Sequence, residues 1–174
     1  MLPEVFSNGV CSLLPNEDRL TFGAVFIMDK NAKVLDKWFG KTIIHSNKRF
    51  TYEDVDKILD TGSGELANEI HEINKLAKKL REERFAKGSM DFNTNDVKFK
   101  LDATGKPIEI IKMVATDSHK LIEDFMLLAN KKVAEFVFYK GEHNQKPGSN
   151  TFIYRIHDLP NKEKIADLKK FLRT

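Results

Sequence analysis

Between Leu121 and Phe136 the apolar side chains recur at helical spacing. At about 100° per residue they fill one broad arc, with Ile122, Phe125, Met126, Ala129, Val133 and Phe136 at its middle. Asp124, Lys131 and Glu135 fall together on the opposite side, which the pattern assigns to solvent. Glu123 and Asn130 belong to neither group. They stack on one side of the helix, beside Leu127 and Ala134 at the edge of the arc. A carboxylate and an amide there are expected to be partly desolvated and to need partners. A structural pair bonded to a neighbouring loop and a binding site both fit this position.

The rest of the chain divides into hairpins and helices. Residues 1–18 hold Pro3, Gly9 and Pro15 and predict extended chain with turns. Alternation over Leu20 to Met28, a turn at Asp29 to Lys33, and β-branched and aromatic residues over Val34 to His45 predict a hairpin, with Trp38 packed on it. Val97 to Leu101 and Ile108 to Met113, joined at Asp102 to Lys106, predict a second hairpin. Thr51 is placed to cap a helix that runs to Leu59 and stops at Thr61-Gly62. A longer helix is expected from Gly64 to Ala86, its buried stripe being Leu66, Ile70, Ile73, Ala77 and Leu80, with Gly88 as its stop. Asp117 or Ser118 is placed to cap the central helix. Gly141 to Asn150 reads as a polar loop, Thr151 to Ile156 as a short strand, and Lys162 to Leu172 as a last helix. Two antiparallel β-hairpins packed with about four helices make an α+β arrangement.

Composition narrows the class. The chain has 174 residues, 41% hydrophobic and 32% charged, which suits one soluble globular domain. It holds no apolar run long enough to cross a membrane. The net charge of +3 permits an acidic partner without demanding one. A lone Cys11 allows no internal disulfide and fits a reducing, cytoplasmic compartment. In the long helix the acids Glu65, Glu69 and Glu72 come early, and Lys78, Lys79, Arg81, Arg84 and Lys87 come late. That order matches the helix dipole, and it also offers a phosphate-facing patch.

Most familiar chemistries find no footing. The five histidines are scattered and there is one cysteine, so no zinc site is expected. No Walker loop, GxGxxG or GxSxG occurs. Asp54 and Asp56 point about 200° apart on a helix and cannot share one metal.

Five stretches, taken together, resemble one family. Met1 to Arg19 (MLPEVFSNGVCSLLPNEDR), Phe50 to Glu53 (FTYE), Arg84 to Phe92 (RFAKGSMDF), Leu121 to Val133 (LIEDFMLLANKKV) and Tyr154 to Pro160 (YRIHDLP) occur in order over nearly the whole chain. They are similar to motifs of the catalytic RNB domain of the ribonuclease II and ribonuclease R family, closer to ribonuclease R. Asp124 stands where that family often has glutamate, and the loop at Gly141 to Asn150 is longer.

The resemblance implies magnesium-dependent hydrolysis of single-stranded RNA from the 3′ end, in a bacterial-type enzyme with no DNA or membrane partner. It implies that Phe92 stacks on the terminal base. It implies that Tyr52 and Glu123 lie near the terminal sugar, where a 2′-OH marks RNA. Asn130, Arg155, His157 and Arg84 also match its motifs, and structural roles fit them equally. The family's magnesium-holding aspartates precede the Met1 motif, and its catalytic arginine follows the Pro160 motif. The chain is therefore expected to be a partial RNB domain over residues 1–174, with no catalytic or metal-binding residue of its own and no activity alone. A non-catalytic RNA-binding or protein-interaction module on the same scaffold is the alternative.

Overall fold

A computed structural model of the chain describes residues 2–90, 96–139 and 150–172. Phe92 and most of the expected loop at Gly141 to Asn150 lie outside the described residues. The chain divides into two units, Met1–Val133 and Ala134–Thr174.

In the first unit the N-terminal stretch departs from the expected extended chain. Val5–Val10 forms a single π-helical turn, closed by Cys11 N–H donating to the Phe6 carbonyl at 2.9 Å. Strands β1 (Asp18–Met28) and β2 (Val34–His45) then pair antiparallel. Their turn is built on Asp29, whose Oδ1 accepts from the backbone N–H groups of Asn31 at 2.8 Å and Lys33 at 2.9 Å. Trp38 does pack on its own sheet. Its indole lies so close over Gly40 that a Cβ there would collide with it. The second hairpin pairs β3 (Asp96–Leu101) with β4 (Pro107–Met113). Its turn repeats the same device, with Asp102 Oδ1 accepting from the N–H groups of Thr104 and Lys106.

Helix α1 (Tyr52–Thr61) starts where the sequence places it. Thr51 Oγ1 accepts from Asp54 N–H, and the Asp54 carboxylate accepts from Thr51 N–H, both at 3.1 Å. Gly62, with φ at 69°, ends the helix in the left-handed conformation. Helix α2 (Ala67–Ala86) begins later than expected. Leu66 adopts φ 56° and is half exposed, so it belongs to the connecting turn and not to the buried stripe. Ala77 is the fully buried member of that stripe, and Asn74 is buried beside it.

Helix α3 (Asp117–Tyr139) is capped by neither expected residue. The Thr116 carbonyl accepts the first intrahelical bond, from Lys120 N–H at 3.1 Å, which makes Thr116 the capping position. Ser118 N–H donates instead to Asp56 of α1 at 3.2 Å. Ile58, Ala77 and Leu121, one from each of α1, α2 and α3, are buried, as is Ala32 in the β1–β2 turn.

Among the described residues the second unit contains the end of α3, residues 150–161 without regular structure, and α4 (Lys162–Phe171). Asn161 caps α4, its Oδ1 accepting from Glu163 and Lys164 N–H at 2.8 and 3.2 Å. The strand expected at Thr151 to Ile156 does not form. Residue type alone cannot hold a strand, because its backbone groups need a neighbouring strand to pair with, and none of the described strands pairs with this stretch. Among the described residues no helix is long and apolar enough to cross a membrane.

Candidate functional site

The face of α3 that packs inward runs through Ser118, Leu121 and Asp124, turned away from the arc that periodicity selects. Met126 and Ile122 are exposed, and Asp124 is only 3% exposed. The expectation that Asp124 faces solvent is therefore corrected, and the reason lies on α2. Arg81 Nε donates to Asp124 Oδ2 at 2.9 Å, and Arg84 Nη2 donates to Oδ1 at 2.8 Å. Arg81 Nη2 also lies 2.8 Å from Oδ2, but off the hydrogen-bonding direction, so it adds charge and no further bond. Two arginines supply the counter-charge and hydrogen bonds that a buried carboxylate needs.

Glu123, one residue earlier, lies about 100° around the helix. Its side chain is 55% exposed, so it is not the partly desolvated group that its position on the arc suggests. Its partner is Arg84, whose Nη1 donates to Oε1 at 3.2 Å. Arg84 thus holds both adjacent carboxylates of α3. Asn130 is exposed two turns further along the same helix.

Tyr52 opens α1 and lines a cleft of about 710 Å³. Apolar side chains dominate the lining, among them Phe50, Val55, Ile70, Ile73 and Leu121, with Arg49 at the edge. The Tyr52 ring stacks on His119 of α3, centroids 3.9 Å apart and planes 15° apart. His119 Nδ1 is in turn 2.7 Å from Thr116 Oγ1. Burial acts to raise the Asp56 carboxyl, but hydrogen bonds from Thr116 and Ser118 prevail and hold it below its usual range. One chain of contacts therefore runs from Asp56 through Thr116 and His119 to the Tyr52 ring.

Sequence reasoning missed His119 in this role. Its spacing four residues before Glu123 puts the two on one ridge of α3, but nothing in the sequence pairs it with Tyr52. Among the described residues no hydrogen bond joins Tyr52 to Glu123; they are linked by position, one helical turn apart through His119. Arg155 and His157 lie exposed in the second unit, in chain without regular structure. Among the described residues no three His, Cys, Asp or Glu side chains gather as metal ligands. Those residues by themselves do not fit a magnesium site.

The RNB domain matches over residues 1–174. The chain is 34% identical over 190 residues to DIS3-like exonuclease 2 of Schizosaccharomyces pombe, covering 100% of this chain and 20% of that protein. It is 35% identical over 178 residues to ribonuclease R of Thermotoga maritima, covering 99% of this chain and 24% of that protein. Its fold matches RNase R of Mycoplasma genitalium in complex with double-stranded RNA, with a TM-score of 0.85 and 25% identity, over 99% of this chain and 30% of that one. The chain thus spans about a fifth to a quarter of the length of these curated relatives. Matched from end to end by the domain and by relatives above 30% identity, the chain belongs to the RNB domain family, a family of ribonucleases.

Proposed function

We propose that this chain binds the 3′-terminal nucleotide of RNA within an exoribonuclease that hydrolyses single strands from the 3′ end with magnesium. The observation that carries the reading is the Tyr52 ring, held flat by His119 in the lining of the apolar cleft, with the exposed Glu123 carboxylate one turn along α3. A terminal nucleotide has an apolar base face and a sugar with hydroxyl donors. The cleft offers apolar walls to the first, and Glu123 accepts a hydrogen bond from the second. The Tyr52 hydroxyl both donates and accepts, so Tyr52 and Glu123 together can engage a ribose 2′-OH. Phe92 adds a stacking face for the terminal base, which every base can use. Arg84 fixes Glu123 by its bond at 3.2 Å, and Arg49, which forms no ion pair among the described residues, can meet a phosphate at the cleft edge.

The chain's own work in this scheme is recognition, in which base, sugar and phosphate are bound before cleavage. The test is binding of matched RNA and DNA oligonucleotides of equal sequence by the protein and by its Tyr52→Ala and Glu123→Ala variants. A loss confined to RNA supports the reading, and equal losses on both strands oppose it.

A further inference from the structure

On the other flank of α3 lies a second concave surface that the 3′-end reading does not use. It is a groove of about 480 Å³ between the β1–β2 turn, the last turns of α2, and α3. Leu80, Leu127 and Leu128 contribute apolar lining, and Lys33, Lys87, Lys131 and Lys132 contribute charge. Two acids share the groove, and both are already matched. Asp124 is held by Arg81 and Arg84, and Glu83 by Lys87. The Lys87 ammonium bonded to Glu83 keeps that carboxyl below its usual range, and Lys131 and Lys132 are near enough to add to the effect. Lys33 and Lys131 are exposed and form no ion pair among the described residues, so positive charge is in surplus.

Position says what that surplus meets. His119, Glu123, Leu127 and Lys131 follow one another at four-residue intervals and make one ridge of α3. Arg84 binds Glu123 and also lines the groove. The twelve helical steps from His119 to Lys131 span roughly 18 Å of helix. A stacked strand rises about 3.4 Å per nucleotide, so that distance is about five nucleotides. We propose that this groove binds the phosphate backbone of an RNA strand about five nucleotides before its 3′ end. The inference rests on the assignment of Tyr52 and Glu123 to the terminal nucleotide. Continuity through Arg84 favours RNA over an acidic protein segment.

The test is fluorescence anisotropy of 5′-labelled oligoadenylates of three and ten nucleotides, titrated over a salt series with the full-length protein in EDTA. The protein is compared with its Lys33→Gln/Lys131→Gln double variant. Both side chains are exposed, so thermal unfolding of the variant should match that of the parent. The ten-mer should bind the variant more weakly, and its slope of log affinity against log salt should fall by about 1.4, or about 0.7 per lost phosphate contact. The three-mer should bind both proteins alike, and Lys131→Arg should leave the ten-mer affinity intact. Equal losses on both lengths, or an unchanged salt slope, would overturn the proposal. So would a variant that loses binding to polyglutamate while holding the ten-mer, because the groove would then serve an acidic protein. A three-mer indifferent to Tyr52→Ala and Glu123→Ala contradicts the terminal-nucleotide reading instead, and the length comparison keeps that failure separate.

Discussion

The Tyr52 ring and the His119 imidazole lie nearly parallel, their centroids 3.9 Å apart. The contact joins the first residue of α1 to the first turn of α3, so it fixes the ring that the cleft presents. Stacked aromatic pairs contribute about 0.5–1.5 kcal/mol beyond the area they bury. A double-mutant cycle of Tyr52→Ala and His119→Ala, followed by urea unfolding, should return a coupling energy of that size. Additive effects would show that the two rings merely lie side by side.

Asp124 should be far more sensitive than Glu123. It is buried between two guanidinium groups, whereas Glu123 is half exposed on a single one. Asp124→Ala leaves Arg81 and Arg84 without their shared counter-charge, and breaking such buried pairs costs about 3–5 kcal/mol. Glu123→Ala should change stability by less than about 1 kcal/mol. Urea denaturation of the two variants separates these outcomes. Equal small losses would mean that Asp124 is solvated in solution.

Acid should loosen the junction of α1 and α3. Hydrogen bonds from Thr116 and Ser118 lower the Asp56 carboxyl against the opposing effect of burial. Asp117 is lowered chiefly by its bond to Lys78. A carboxyl lowered in the folded state stabilises above its unfolded value, about 3.9, and loses that contribution as pH falls through the folded value. Thr116→Val removes one bond to Asp56, so stability should fall near pH 7, and the difference from the parent should shrink as pH falls through the folded value of Asp56. Urea unfolding followed by circular dichroism at pH 7 and at pH 3 reads this directly, and a loss of equal size at both would remove Asp56 from the acid transition.

The sequence made the local devices legible and left the tertiary ones hidden. The Thr51 and Asp54 capping box, the Gly62 stop and the turns at Asp29 and Asp102 are short-range chemistry, and each forms where the residues place it. The rotation of α3 was not legible. Periodicity counts Asp124 as polar and sends it to solvent, but arginines arriving from α2 make its burial tolerable. Leu66 failed for a related reason, since it matches the helical stripe but sits in the turn before α2 begins. For the site, spacing marked Glu123 as unusual. Its connection to the terminal sugar, and the roles of Tyr52 and Phe92, came from resemblance alone. His119 carried no signal, because its partner Tyr52 is distant in sequence.

Phe92 should matter for binding more than for folding. If it stacks on the terminal base, Phe92→Ala should weaken the hold of the full-length protein on short RNA by about 1–3 kcal/mol. Titration with an oligonucleotide of three or four residues tests this, and a variant that loses stability while keeping affinity would assign Phe92 to packing.

The most direct measurement concerns Glu123 and the sugar. With a strand that lacks the hydroxyl, Glu123 keeps its Arg84 partner and forgoes the bond that only a ribose offers. Glu123→Ala removes that RNA-only bond, so the full-length variant should cut RNA more slowly while its preference for RNA over DNA narrows. Cleavage of matched RNA and DNA strands by parent and variant decides the matter. A slower RNA rate with a reduced RNA-to-DNA ratio is the expected result, and an equal slowing of both strands would contradict the account of this helix as a reader of the 3′-terminal ribose.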